Sequence, residues 1–328
     1  MEMVNILLST YNRAEFILQQ LETIFNQSYD DWRLLIRDDA SNDGTHRLLD
    51  DFSSSNTDRV KILRDDLGTL GAVGNFSRLL SVCDSRYIMF CDQDDVWLPD
   101  KVKKTYETML AAEKKFGTET PLLVHTDLCV VDRDLRMIAP SFCKYQHVNP
   151  RLGMYLNRVM PQNVVTGCTV MINRPLADIA LPIPAEALMH DWWLALIAAL
   201  FGQVVYLDEP TILYRQHGTN TVGTMGWGIR GAFNKIRNIQ KVRSIMVGSI
   251  RQAQSLIDHY GEQMSPEQCN LVGTYASLLS RGRFSRIRTI LKQRYFKNGT
   301  IRNTGFLLNM FFLRRQKFLK NHASLCRA

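Results

Sequence analysis

The sequence predicts an α/β protein: a mixed, mostly parallel sheet flanked by helices, with a basic helical region after it. Three observations carry that prediction. Short apolar runs alternate with amphipathic stretches through the first two thirds of the chain, the pattern of βαβ units. Several of those runs stop abruptly in polar residues, above all Tyr87–Cys91, which runs into Asp92-Gln93-Asp94-Asp95. A strand that ends this way presents carboxylates at its carboxyl edge, where open α/β sheets bind ligands. The charge is also divided: Arg230 to Arg327 holds 19 Lys+Arg against three acids (Asp258, Glu262, Glu267), while the first 229 residues hold 21 basic and 29 acidic residues. An acidic body of −8 therefore carries a basic tail of +16, for the net +8.

Each element follows in order. Asn5–Tyr11 is a first strand. Asn12-Arg13-Ala14-Glu15 has the form of a capping box, and Ile17, Leu21, Ile24 and Phe25 recur at helical spacing after it. Trp32–Ile36 is a second strand ending in Arg37-Asp38-Asp39; a short helix to Phe52 and a strand Val60–Leu63 come next. A helix from about Gly74 to Cys83 leads to the central strand Tyr87–Cys91. Pro99–Phe116 is a helix with Pro99 near its first position. Leu122–Asp127 is a strand, Leu128–Ile138 a hairpin excursion, Thr166–Ile172 a strand, and Val204–Leu207 another. Between the last two, a helix from Met189 holds His190-Asp191-Trp192-Trp193 in its first turn, and Tyr214–Asn220 closes the acidic body. Beyond Gly228, Phe233, Ile236, Val242, Met246, Ile250, Ala253 and Ile257 fall roughly on one helical stripe. Helices over 266–280, 283–295 and 305–320 follow. The last mixes aromatic and aliphatic residues with a basic cluster, as a membrane-interface helix does; a basic helical subdomain packed on the body has the same pattern.

Composition bounds the class. At 328 residues, 45% apolar and 22% charged, the chain holds one large α/β domain and an appendage. Seven scattered cysteines with no Cys-x-x-Cys pair indicate neither a zinc site nor a disulfide framework, and fit a reducing cytosol. The longest apolar runs, Trp192–Phe201 and Gly305–Leu313, are too short to span a bilayer, and the N-terminus has no signal-peptide pattern. Gly68, Gly71 and Gly74 form neither a dinucleotide nor a Walker loop. Three adjacent acids repel one another, and a divalent cation with oxygen ligands offsets that best. A solvated acidic turn capping the next helix is the alternative.

The polar strand ends make a set: Thr10-Tyr11-Asn12, Asp38-Asp39, Asp92 to Asp95, His125 to Asp127, Asp191 and His217. Ser9–Arg13, Asp38–Thr45, Asn75 after its Gly-rich loop and Asp92–Asp100 occur in one order and spacing. Through them residues 3–220 resemble the family 2 glycosyltransferases of the GT-A fold. Asp-Gln-Asp-Asp-Val-Trp at 92–97, with Tyr214-Arg215-Gln216-His217-Gly218-Thr219-Asn220, is most similar to the branch containing bacterial rhamnosyltransferases of surface polysaccharides. The resemblance implies a Rossmann-like catalytic domain over residues 1–227, with nucleotide-sugar binding in about 1–100 and the acceptor side in about 100–227. A basic helical region over 228–328 follows it.

It also implies roles. Thr10 and Tyr11, with Asn12 and Arg13, line the nucleotide base pocket; Asp39 accepts from the pyrimidine imide; Asn75 reaches the nucleotide. Asp92 approaches the ribose or the metal, and Gln93 belongs to the nucleotide-sugar site. Asp94 and Asp92 ligate Mg²⁺ or Mn²⁺, with His217 completing the shell and Asp95 supporting it. Asp191 is the catalytic base, and Trp97, Asp127, His190, Trp192 and Trp193 lie toward the sugar and acceptor. Plainer roles stand beside these: Asp39 or Asp191 capping a helix, Trp192 and Trp193 in the core, His217 structural. His190-Asp191 replaces a common Glu-Asp, Ala40 a common Gly and Arg37 a common aliphatic residue. The Gln-x-x-Arg-Trp signature of processive synthases is absent, which points to addition of one or a few sugars.

The expected function is an inverting transferase at the cytoplasmic face of the inner membrane. It moves a sugar from a nucleoside-diphosphate donor, dTDP-L-rhamnose ahead of UDP-sugars, to a lipid-linked or polysaccharide acceptor of O-antigen or capsule type. The basic region meets an anionic membrane surface, and no nucleic acid is expected as a partner. A nucleotidyltransferase would carry a Gly-rich, Arg/Lys-bearing loop where this chain has Thr10-Tyr11-Asn12-Arg13. A nucleic-acid-binding protein would leave the acidic cluster unexplained.

Overall fold

A computed structural model describes residues 2–216 and 239–315. Among them one mixed sheet of nine strands forms the centre. Its parallel half is β1 (Val4–Thr10), β2 (Trp32–Asp38), β3 (Val60–Ile62) and β4 (Tyr87–Cys91), in spatial order β3-β2-β1-β4. The chain steps outward from β1 to β3, then crosses to the other side of β1 to make β4. The carboxyl ends of β1 and β4 therefore flank a topological switch point, where such sheets bind ligands. The other half comprises β5 (Val96–Trp97), β6 (Leu122–Val131), β7 (Met137–Ala139), β8 (Met171–Asn173) and β9 (Gln203–Arg215). β8 is antiparallel to both β4 and β6, β9 is parallel to β6, and β6–β7 is the expected hairpin.

Both faces of the sheet are covered at its centre, so β4 is apolar and buried throughout. Alternate side chains of one strand enter different cores: Ile88 and Phe90 of β4 on one side, Tyr87, Met89 and Cys91 on the other. The second side is packed by α1 (Ile17–Phe25), α2 (Thr45–Ser54) and α4 (Lys101–Phe116). The first is packed by α3 (Gly71–Ser81) and, after the short α5 (Phe142–Tyr145) and α6 (Leu156–Val159), by α7 (Arg174–Ala180) and α8 (His190–Phe201).

The basic region packs on that same side. Met246, Ile250, Ala253 and Ile257 of α9 (Ile239–Tyr260) are buried in one cluster with Trp193 and Leu196 of α8. Tyr260 Oη donates to the Ile179 carbonyl at 2.6 Å, and Gln252 Oε1 accepts the Leu188 amide at 2.9 Å. α10 (Pro266–Ala276), α11 (Arg283–Gln293) and α12 (Thr300–Phe312) complete it, with Ile290, Phe306 and Met310 in the same cluster. Phe233, Ile236 and residues 316–320 of the expected final helix lie outside the described residues. No described helix is long and apolar enough to cross a membrane. Cys83, Cys91, Cys129, Cys143 and Cys168 are free thiols. Cys269 is disulfide-bonded, a pairing that sequence spacing did not indicate.

Four local expectations are corrected. The capping box at Asn12 does not form: α1 starts at Ile17 with no side-chain cap. Asn12 instead takes φ 49° and accepts the Asn42 amide at 2.8 Å, stitching the β1–α1 loop to the β2–α2 loop. α3 begins at Gly71 rather than Gly74, because Asp39 binds the Leu70 and Gly71 amides at its start. Gly167–Thr169 is a 3-10 turn, leaving only Met171–Asn173 as strand. β9 runs on to Arg215, since β6 is long enough to pair with it to Val131.

Gly202 joins α8 to β9 where the backbones approach most closely. A Cβ there would fall inside the van der Waals envelope of the Pro121 carbonyl oxygen, which cannot rotate away. Gly202→Ala is expected to cost about 3 kcal/mol, as overpacking does. Gly305→Ala, in a helix and facing open space, should instead gain up to about 1 kcal/mol. Thermal melts of the two variants check the contrast.

Candidate active site

At the switch point the β1 and β4 loops are tied by one side chain. Gln93 Oε1 accepts from Thr10 Oγ1 at 2.8 Å and from the Tyr11 amide at 2.6 Å. Thr10 is thus buried beneath the floor of the site, whereas Tyr11 is exposed with its ring on the surface. Arg13 anchors its loop through its amide to Thr45 Oγ1 at 2.8 Å and reaches Asp94, Nε to Oδ2, at 3.2 Å.

The β2 end carries a buried polar network. Asp39 accepts the Leu70 and Gly71 amides at 2.7 and 2.8 Å and Arg37 Nη1 at 2.9 Å. It therefore caps α3, while Asp43 takes the Thr45 amide at the start of α2. Asn75 accepts from Arg37 Nη1 at 3.1 Å and donates to Ser9 Oγ at 2.7 Å. Arg37 also pairs with Asp65 at 2.9 Å and donates to the Gly68 carbonyl. Hence Arg37, noticed in the sequence only as a departure, is the cation that joins Asp39 and Asn75.

The acidic cluster sits at the end of β4. Asp94 and Asp95 are buried and Asp92 half-buried. Burial, then the charges of Asp94 and Asp191, push the Asp92 carboxyl up to about 7. Asp95 is raised well above the usual carboxylate range by burial and by Asp94 and Asp92. Asp92, Asp95 and the Cys168 Sγ offer ligand atoms all within 4.8 Å of one another, while Asp94 lies on Arg13. Asp95 Oδ1 accepts the Arg215 amide at 3.4 Å, and its buried Oδ2 accepts no hydrogen bond among the described residues. Crowded carboxylates and an orphaned oxygen suit a hard cation such as Mg²⁺ or Mn²⁺. The Cys168 thiol, held protonated by burial, suits it poorly.

Two cations near this cluster were not singled out in the sequence. Lys101 is fully buried at the start of α4, 4.6 Å from the centre of the Trp97 ring, and its electrostatic partners include Asp95. Arg215, at the end of β9, donates through Nε to the Asp94 carbonyl at 3.0 Å. Lys101 reads in sequence as an ordinary first-turn lysine. Arg215 was legible only as part of the Tyr214–Asn220 motif.

Asp191 lies in the first turn of α8, and Met189 rather than Asp191 is the N-cap residue. Burial pushes its carboxyl up to about 7, against hydrogen bonds from the Trp192 and Gly167 amides and the Asn163 side chain. Asn163 Nδ2 stands 3.2 Å from Oδ1. The Asp191 charge is felt at Asp92, so the start of α8 and the β4 loop lie at one site.

The acceptor-side expectations need correction. Trp192 and Trp193 are core residues: each indole N–H is spent on a backbone carbonyl, Val159 at 2.8 Å and Ala180 at 3.0 Å. His190 is buried between Phe76 and Phe90, ring centroids 4.1 and 5.2 Å away, and burial holds it neutral with a pKa of about 3. Trp97 is buried against Lys101. Asp127 is consumed by Ser141 Oγ and by the Leu128 and Cys143 amides, so it fastens a loop. His217 lies outside the described residues.

Known proteins resemble the chain in sequence and in fold. Residues 5–116 match the family described as glycosyl transferase family 2. A dTDP-rhamnosyl transferase of Shigella flexneri, RfbG, is 28% identical over 224 residues, 66% of this chain and 73% of that protein. An Escherichia coli UDP-Glc:alpha-D-GlcNAc-diphosphoundecaprenol beta-1,3-glucosyltransferase, WfgD, is 32% identical over 177 residues, 54% of this chain and 62% of the relative. Among solved structures, S. aureus TarS in complex with UDP-GlcNAc superposes with a TM-score of 0.51 at 14% identity, covering 88% of this chain and 82% of that one. By its sheet and this solved structure the chain carries the GT-A fold, and its first third matches glycosyl transferase family 2.

Proposed function

We propose that the protein is an inverting glycosyltransferase of cell-surface glycan synthesis, moving a sugar from a nucleoside diphosphate to a lipid-linked or polysaccharide acceptor. The observation that carries this reading is the cluster of buried carboxylates at the β1/β4 switch point, where Asp191 at the start of α8 lies near enough to Asp92 to raise its carboxyl, a base beside the acids that would face a diphosphate. Asp191 takes the proton of the acceptor hydroxyl while its oxygen attacks the anomeric carbon. The bond to the departing diphosphate breaks in the same displacement, which inverts the configuration. Asp92, Asp94 and Asp95 are the oxygen donors that would hold Mg²⁺ or Mn²⁺, which when bound neutralises charge on the leaving group. Tyr11, the Asp39–Asn75 network and Gln93 shape the nucleotide side. The donor read first is dTDP-L-rhamnose, supported by the Shigella relative's name. A UDP-sugar is the second reading, supported by the 32% identity to a protein named for UDP-Glc. The basic C-terminal region would keep the enzyme on the cytoplasmic face of a membrane.

Donor hydrolysis tests the reading. With a panel of dTDP-, UDP- and GDP-sugars, one donor is expected to release its nucleoside diphosphate. Chelation or Asp94→Ala should lower the rate by roughly 10²-fold, the scale of losing a charge-stabilising group. If none of the donors binds by calorimetry, the nucleotide-sugar reading fails.

A further inference from the structure

The mechanism makes no use of the outer face of α11 and α12, yet that face holds the most exposed large apolar side chain of the described surface, Phe284, at 80%. Phe284, Ile287, Arg288, Leu291 and Lys292 recur at i, i+3, i+4, i+7 and i+8 along α11, and with Phe311 of α12 they line an open groove of about 720 Å³. The Phe284 and Phe311 ring centroids are 5.6 Å apart, and Phe312 beside them is 58% exposed. The Arg283 guanidinium lies over the Phe311 ring at 5.9 Å.

The ridge is fixed from within. Arg286, on the opposite side of α11, is buried and donates to the carbonyls of Leu278 and Arg281 before the helix and to Met310 and Leu313 at the end of α12. Its charge thus locks the two helices together, and the apolar face is held out rather than folded in. The two helices and their flanks have one sign of charge: residues 268–315 contain ten Lys+Arg and no Asp or Glu.

We infer that the α11–α12 ridge docks on an anionic lipid bilayer, with Phe284, Leu291 and Phe312 entering the headgroup boundary and Arg283, Arg288 and Lys292 meeting lipid phosphates. Basic residues around an exposed apolar stripe match that surface in both chemistry and charge. A second copy of the chain fits worse, because pairing two such faces would set cation against cation with no acid between them. Nucleic acid would use the cations but leave Ile287 and Leu291 without a counterpart. The inference gives the membrane partner of the proposed function a particular surface; it needs nothing from the donor chemistry.

Vesicle flotation of the full chain tests it. Floating is expected with phosphatidylcholine vesicles containing about 30% phosphatidylglycerol, not with phosphatidylcholine alone, and should weaken as salt rises. Phe284→Asp/Leu291→Asp and, separately, Arg288→Glu/Lys292→Glu should each reduce the bound fraction about tenfold. All four positions lie on the outer groove, so the melting temperature should hold, and donor hydrolysis without vesicles should be unchanged. No flotation at low salt overturns the inference, as does flotation undiminished in both variants. So does a dimer that the apolar substitutions dissociate, or displacement of the protein from vesicles by nucleic acid with the same residue dependence. None of these outcomes bears on donor hydrolysis, so the transferase reading stands or falls separately.

Discussion

Asp191→Asn is expected to lower kcat by about 10³-fold, within the usual worth of a general base, while donor affinity changes less than about twofold. Asparagine keeps the shape of the carboxyl and can still accept from the Gly167 and Trp192 amides, but it cannot take a proton. Stability should be retained or slightly raised. Burial opposes ionisation of this carboxyl, and a neutral amide removes that opposition. The measurement is a single-turnover rate with donor and acceptor, beside a thermal melt and donor calorimetry. A variant that keeps full activity would reduce Asp191 to a helix-start residue, a role asparagine fills equally well. A variant that loses donor binding and kcat together would move Asp191 into the donor site. Fully active protein would leave the proposed displacement without a base.

The parallel half of the sheet was legible because each strand is an apolar run that stops at polar residues, and the structure keeps those limits within a residue or two for β1 to β4. Helix starts were less legible. Asn12 had the right residue type for a cap, but a contact 30 positions away claimed its side chain. Asp39 likewise caps α3, not α2, the helix nearest to it in sequence. On the acceptor side, residue type misled. Tryptophan and histidine beside a carboxylate suggest a sugar platform, yet α8 is buried all round, so Trp192, Trp193 and His190 face core. Only the fold reveals which side of such a helix is solvent. Cys168 and Lys101 were invisible for a related reason: each reaches the acidic cluster from an element whose own sequence carries no chemical signal.

Arg37 gives the second large expectation, and it follows from the network rather than from any motif. Its side chain is 3% exposed, and it meets Asp39, 5% exposed, and Asp65, 12% exposed. It also donates to Asn75 Oδ1 and the Gly68 carbonyl, so a guanidinium fork serves four acceptors at once. Arg37→Leu would take the shared cation from two carboxylates and a donor from an amide oxygen, leaving Asp39 with its two backbone amides and Asp65 with Arg78. Removing one member of a buried, hydrogen-bonded ion pair costs about 3–5 kcal/mol, so the melting temperature should fall by on the order of 10 °C. Arg37→Lys keeps the charge but not the fork and should recover only part of the loss. Acid unfolding supplies an independent readout. The hydrogen bond from Arg37, with a second from Arg78, holds the Asp65 carboxyl down to about 2, below its unfolded value of about 3.9. A depressed carboxyl contributes stability above its unfolded pKa and loses it as pH falls toward the folded one, here between about 4 and about 2. Arg37→Leu should flatten that part of the stability–pH curve, leaving only the Arg78 share. Because Asp39 and Asn75 are positioned by the same guanidinium, donor affinity should weaken about tenfold in Arg37→Leu, with a smaller effect in Arg37→Lys. A leucine variant as stable as the parent, with an unchanged acid limb, would mean that the network is dispensable and that the aliphatic residue common in the family fits here without cost.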